Sequence, residues 1–180
     1  MPARSWWSRV TESFTVRRVR LSDVDRVRSI RIESLGDAAA GIAFRGSREN
    51  ATEQPLEFWQ ERTAAVALGE SAAQFVAESG REWVGTVTVL SAEARGSDDS
   101  VRASLVAVYV RPSQRGRGIL DALVDAAAAW AGDTGATQLV LEVHEDNIRA
   151  QRAYARLGFA RTGRSSVGPN GTEQEMLLAL

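Results

Sequence analysis

The sequence predicts a single mixed α/β domain, and three observations predict it. Apolar residues recur with a period of two in some stretches and near 3.6 in others, so strands and helices interleave in the order β-α-α-β-β-β-α-β-α-β-β. No repeat, low-complexity stretch or linker divides the 180 residues. At that length one domain buries roughly 70% of its unfolded surface around a sizeable core. Residues 1–13 read as a loose N-terminal extension and 14–180 as the domain.

Phe14 to Arg20 forms the first strand, with Phe14, Val16 and Arg18 on one side. Ser22 is placed to cap a helix with Asp25 at its third position, and Val24, Val27 and Ile30 follow at helical spacing. Gly36 to Thr52 has no stable period and reads as a loop or short irregular helix. Pro55 opens a helix bearing Leu56, Trp59, Thr63 and Val66. Ala73–Glu78 and Trp83–Leu90 are strands joined by a Ser79-Gly80 hairpin turn, and Ser91 to Ser100 is a polar excursion. Val101 to Val110 is the strongest strand signal, stopped by Arg111-Pro112. A helix then carries Leu120, Leu123, Val124, Ala127 and Trp130 and ends at Gly132 to Gly135. Thr137–Val143 is a strand, Asn147 to about Leu157 a helix, and Phe159–Arg164 a strand. Gly168 to Gly171 makes a turn, and Glu173–Leu180 closes the chain as a strand.

Composition excludes several chemistries. All 22 basic residues are arginine, against 23 acidic residues, for a formal charge of −1. Without lysine there is no Schiff base, no lysine general base and no P-loop ending in Lys-Ser/Thr. Without cysteine there is no thiol nucleophile, disulfide or thiolate-bound zinc. His144, alone, cannot build a multi-histidine metal site, so no metal is expected. The absent cysteines fit a cytoplasmic protein. No apolar run suits export or membrane spanning, and near-neutral charge without a recognition motif argues against nucleic acid. Residues 1–31 hold eight arginines against Glu12, Asp23 and Asp25, either a patch for an anionic cofactor or a solvated face.

Two segments carry the chemistry. In the first, the strand ending Val108-Tyr109-Val110 enters Arg115-Gly116-Arg117-Gly118-Ile119-Leu120, which opens a helix. Free N–H groups and the positive helix end face whatever occupies that loop, a geometry suited to pyrophosphate. Gly116 and Gly118 allow close backbone approach, and Arg115 and Arg117 can add charge. The same glycines would equally make a tight turn, and the third glycine of a dinucleotide fingerprint is replaced by Asp121. In the second segment Asn147 can cap a helix on which Tyr154 lies two turns later, on nearly the same face. That hydroxyl could protonate a departing thiolate, or the ring could simply pack under the helix.

Together these segments resemble the GNAT superfamily of N-acetyltransferases. Arg115-Gly-Arg-Gly-Ile-Leu120 is similar to its Arg/Gln-x-x-Gly-x-Gly/Ala signature, and Asn147, Ala150, Tyr154, Gly158 and Phe159 follow its later pattern in order. The resemblance implies a mixed, mostly antiparallel sheet with helices on both faces and a splayed parallel pair of strands at the cofactor cleft. It implies acetyl-CoA as cosubstrate, with backbone groups of Val108 and Val110, flanking Tyr109, on the pantetheine arm. Arg115 to Leu120 would hold the pyrophosphate, Asn147, with Ala150, would lie on the pantetheine side, and Tyr154 would be the general acid. Leu120 stands where the family has glycine or alanine, so its bulk must point away from the phosphates.

The implied reaction is direct attack of an amine on the thioester, since no cysteine is available for an acyl relay. Glu142 is the first candidate base, directly or through water. Glu33 and Glu82 are fallbacks, and His144 is either a base or part of an ordinary polar loop. The family's acidic residue on the central strand is missing from Ser104–Val110, which leaves water-mediated proton loss from a positioned neutral amine open. Glu33, Glu49 and Glu142 could attract a protonated amine. The acceptor, a small-molecule or peptide amine, is expected among Gly36–Thr52 with Phe44 and Arg45, the helix of Trp59 and Arg62, and the turn Ser165–Thr172. Trp59 reads as packing. A noncatalytic acyl-CoA-binding or regulatory module is the alternative, and a homodimer is a family-based expectation.

Overall fold

A computed structural model describes residues 13–37, 40–43, 46–95, 101–168 and 170–180. Seven strands form one sheet in the order β1-β2-β3-β4-β5-β7-β6, where β1 is Phe14–Arg18, β2 Ala72–Ser79, β3 Glu82–Leu90, β4 Arg102–Val110, β5 Gln138–His144, β6 Ala160–Gly168 and β7 Gly171–Ala179. All neighbours are antiparallel except β4 and β5. The helices are α1 (Val24–Leu35), α2 (Ala40–Ala43), α3 (Arg48–Glu53), α4 (Leu56–Leu68), α5 (Ile119–Asp133) and α6 (Ile148–Arg156). The expected element order therefore holds, with α2 and α3 filling the stretch that lacks a period. Phe44 and Arg45 lie outside the described residues.

Strand alternation sorts the core into two faces. Ala73 and Ala77 of β2 meet Leu123, Val124 and Ala127 of α5, with Tyr154 and Phe159 in the same cluster. Ala72 and Val76 meet Val27 and Ile30 of α1 and Trp59 and Val66 of α4 on the other face. Trp59 is 1% exposed, a packing residue as expected. α5 closes tightly on β3 because position 85 is glycine: a Cβ there would lie 3.1 Å from Ile119 and from Leu123.

Three boundaries differ from expectation. The start of α1 is organised by Asp23 rather than Ser22: a one-turn 3-10 helix, Leu21–Asp23, precedes it, and the Asp23 carboxylate accepts from the Arg20 amide at 2.8 Å and from Arg17 at 2.7 Å. β6 extends past Arg164 to Gly168, so most of the expected Ser165–Thr172 turn is paired strand. Its anchor is His144, whose Nε2 lies 2.8 Å from the Asn170 carbonyl at the hairpin tip. β4, apolar without a break from Leu105 to Val110, contains a bulge.

Candidate active site

The bulge lies opposite Val87, where register passes from Thr86↔Tyr109 to Thr88↔Val106, and Ala107 adopts φ 52°. One extra residue reverses the alternation beyond it. Ala103 and Leu105 face α5, yet after the bulge Val108 and Val110 face that side while Tyr109 turns to the α1 side. The Arg111 amide donates to the Val84 carbonyl at 2.9 Å. Counting back, Tyr109 directs its peptide groups to β3, and Val108 and Val110 direct theirs toward β5.

β5 is not there to receive them. The parallel pair is in register only at Arg102↔Gln138, Ala103↔Leu139 and Ser104↔Val140, after which the strands separate. The gap opens into a cleft of about 340 Å³, lined by β4 from Leu105 to Val110, by the loop before α5, by β5 from Leu141 to His144 and by α6. The separated strands, the loop and α6 bring every proposed cofactor residue except Arg117 onto its wall.

At one end, Gly116 and Gly118 hold φ near 77° and 78°, and a Cβ on either would meet nothing within 4 Å. The first intrahelical bond of α5 is Ala122 N–H to the Gly118 carbonyl. The amides of Ile119, Leu120 and Asp121 are thus left without helical acceptors at the positive end of a fifteen-residue helix. Leu120 packs partly against the core, which takes its bulk aside. The Arg115 side chain turns back: Nε donates to the Val110 carbonyl at 2.9 Å and Nη2 to Asp37 at 2.6 Å. The groups that point openly into this end of the cleft are main-chain amides.

At the other wall, Asn147 caps α6, its Oδ1 accepting from the Ala150 amide at 3.2 Å. Tyr154 is 8% exposed and packs edge-on to Phe159, with ring centroids 5.7 Å apart. Its hydroxyl makes no hydrogen bond among the described residues and borders the cleft. Burial raises its pKa well above the ordinary tyrosine value, with Arg149 opposing weakly, so the hydroxyl stays protonated.

The candidate bases separate by their partners. Glu142 borders the cleft, is exposed, and accepts from Ser166 Oγ at 3.2 Å. Glu33 is held bidentately by Arg111, at 2.6 and 2.9 Å, and accepts from Tyr109 Oη at 3.1 Å. Glu82 is 2.6 Å from the same guanidinium. Both fallbacks therefore serve an ion-pair network tying α1 to β3 and β4. In that network burial, then the Glu33 charge, pushes the Tyr109 hydroxyl up to about 12. His144 is 6% exposed, and its Nδ1 accepts from the Asp146 amide at 3.1 Å, which assigns the proton to Nε2. Its lone pair is engaged, and Gly171 leaves the ring its space, since a Cβ there would lie 2.5 Å from Nε2. Among the described residues, no three His, Asp or Glu side chains converge as a metal set and no helix is long and apolar enough to cross a membrane.

Residues 38–159 match the sequence model of the acetyltransferase (GNAT) family. The aminoglycoside N(6')-acetyltransferase type 1 of Stenotrophomonas maltophilia is 30% identical over 138 residues, covering 76% of this chain and 88% of the relative. A GNAT-family acetyltransferase from Streptococcus pneumoniae superposes with a TM-score of 0.74 at 16% identity, covering 93% of this chain and 99% of that one. PaiA N-acetyltransferase from Thermoplasma acidophilum, solved with coenzyme A, gives 0.70 at 18% identity over 91% and 98%. These structural likenesses establish the fold. With the family match across most of the domain, they make this chain an acetyltransferase of the GNAT family.

Proposed function

We propose that the chain transfers the acetyl group of acetyl-CoA to a primary amine of a small molecule or peptide by direct attack in a ternary complex. The observation that carries this is the cleft itself: β4 peptide groups without a strand partner, the open amide end of α5 and the Tyr154 hydroxyl, which has no partner among the described residues, converge on one space. Amides from Gly116 to Leu120 hold the pyrophosphate, Val108 and Val110 pair with the pantetheine amides, and Asn147 with Ala150 borders that arm from α6. Acetyl-CoA supplies the activated acyl group. The amine nitrogen bonds to the thioester carbon, the tetrahedral adduct expels the thiolate, and Tyr154 donates a proton to the sulfur. Glu142, directly or through water, takes the proton lost by nitrogen.

The similarity to an aminoglycoside acetyltransferase supports a small-molecule amine as acceptor. The test is thiol release from acetyl-CoA across polyamines, amino acids, aminoglycosides and peptide N-termini. Release with one amine class confirms catalysis. Calorimetric binding of coenzyme A without release across the panel would instead make the chain a noncatalytic acyl-CoA module. We take the homodimer as the working assembly, which solution mass tests.

A further inference from the structure

Two carboxylates at the end of α1, Glu33 and Asp37, meet two arginines at the end of β4, Arg111 and Arg115, each pair spaced four residues apart. The first pair is joined by Tyr109 and Glu82 and fastens α1 to the sheet. The second pair sits elsewhere. The Asp37 side chain is 5% exposed and borders the cofactor cleft, while Arg115 is the first residue of the loop whose amides open α5. Asp37 also begins the path to the acceptor side: its carbonyl accepts from the Ala40 amide at 2.8 Å, and α2, which starts there, rests against β5, the strand of Glu142.

We propose that Asp37 is a positioning residue that couples occupancy of the cofactor cleft to the acceptor wall through Arg115. This rests on the reading that the pyrophosphate of acetyl-CoA lies at the start of α5. A carboxylate buried beside a bound pyrophosphate is repelled unless a cation stands between them. Arg115 is that cation. Of its five N–H donors, two are spent on Val110 and Asp37, and the others have no acceptor among the described residues. A phosphate oxygen that engages them leaves the Asp37 bond in place and fixes the guanidinium from both sides. The cofactor thereby immobilises Asp37, the end of α1 and the start of α2, so the acceptor wall is set once the cofactor is bound.

The test follows amide exchange of Gly36, Asp37 and Ala40 by NMR, without and with saturating coenzyme A, in the wild type and in Asp37→Asn. Coenzyme A should slow these amides about threefold or more in the wild type and leave them unchanged in the variant. Asp37→Glu, which keeps the charge, should retain the slowing. Arg115→Gln, which removes the same pair from the other side, should lose it, and decides the matter if Asp37→Asn does not fold. Unchanged or faster exchange in coenzyme A-bound wild type, or equal slowing in Asp37→Asn, overturns the coupling. Failure of the wild type to bind coenzyme A in calorimetry overturns the cofactor reading instead.

Discussion

At the scale of single residues, hydrogen-bond partners decide which polar groups can do chemistry. Tyr154 is buried, protonated and without a partner among the described residues, whereas Tyr109, the other tyrosine, has its hydroxyl on Glu33. Tyr154→Phe removes one oxygen from the cleft and leaves the ring's contact with Phe159. It should lower kcat by about a hundredfold while acetyl-CoA affinity stays within about twofold, measured under conditions where chemistry limits the rate. Equal kcat would make the residue packing alone. Glu142→Gln keeps the shape of the group and its bond from Ser166 but cannot accept a proton. It should lower kcat/KM about tenfold or more and change the pH at which activity rises, with a smaller loss for an amine of lower pKa. An unchanged pH-rate profile would return the role to water, since Glu33, Glu82 and His144 are engaged elsewhere.

At the scale of elements, the loop Arg115–Leu120 was legible in sequence because its geometry rests on backbone. Glycine spacing and the onset of a helical period state where left-handed φ and open amides occur. Asn147 and Tyr154 were legible for a related reason, their seven-residue spacing fixing a shared helical face. The β4 bulge was not, because Leu105–Val110 is apolar on both parities and alternation there carries no mark of an extra residue. The role of Gly118 makes the loop testable. Its φ of 78° is strained for any β-branched residue, and the space a Cβ would take is open cleft. Gly118→Val should therefore cut the thermal stabilisation given by acetyl-CoA by about half or more, while Gly132→Val, in the same helix, should keep it. Comparing ligand-induced shifts rather than Tm separates binding from strain, and equal shifts would remove the pyrophosphate from this end of α5.

At the scale of the whole molecule, what the sequence concealed is mostly long-range charge pairing. Glu33 finds Arg111 and Asp37 finds Arg115 across 78 positions, a distance over which no local pattern operates. The arginine-rich start of the domain is another case, since two of its arginines, Arg17 and Arg26, turn inward on acids rather than face solvent freely. Arg17 and Arg26 converge on Glu78, Trp83 Nε1 donates to the same carboxylate at 2.8 Å, and Arg17 also holds Asp23. This cluster joins β1, α1 and the β2–β3 hairpin, so it fastens an edge strand and the first helix to the sheet. The bidentate bond from Arg17, aided by Trp83 and Arg26 and opposed by burial, holds the Glu78 carboxyl at about 2. A carboxylate depressed in the folded state gives stability that is fully present above its unfolded pKa, about 4.3, and is lost as pH falls through the folded value. Thermal stability should accordingly decline from about pH 4.5 toward pH 2 in the wild type. Glu78→Gln leaves Arg17 short of a charge partner and should lower Tm at pH 7 by about 2–8 °C, the scale of one to two kcal/mol for a chain of this size. The variant should also lose less on acidification, so that the two melting temperatures converge near pH 2. A constant difference between them from pH 7 to pH 2 would show that Glu78 acts through shape and hydrogen bonding rather than through its charge.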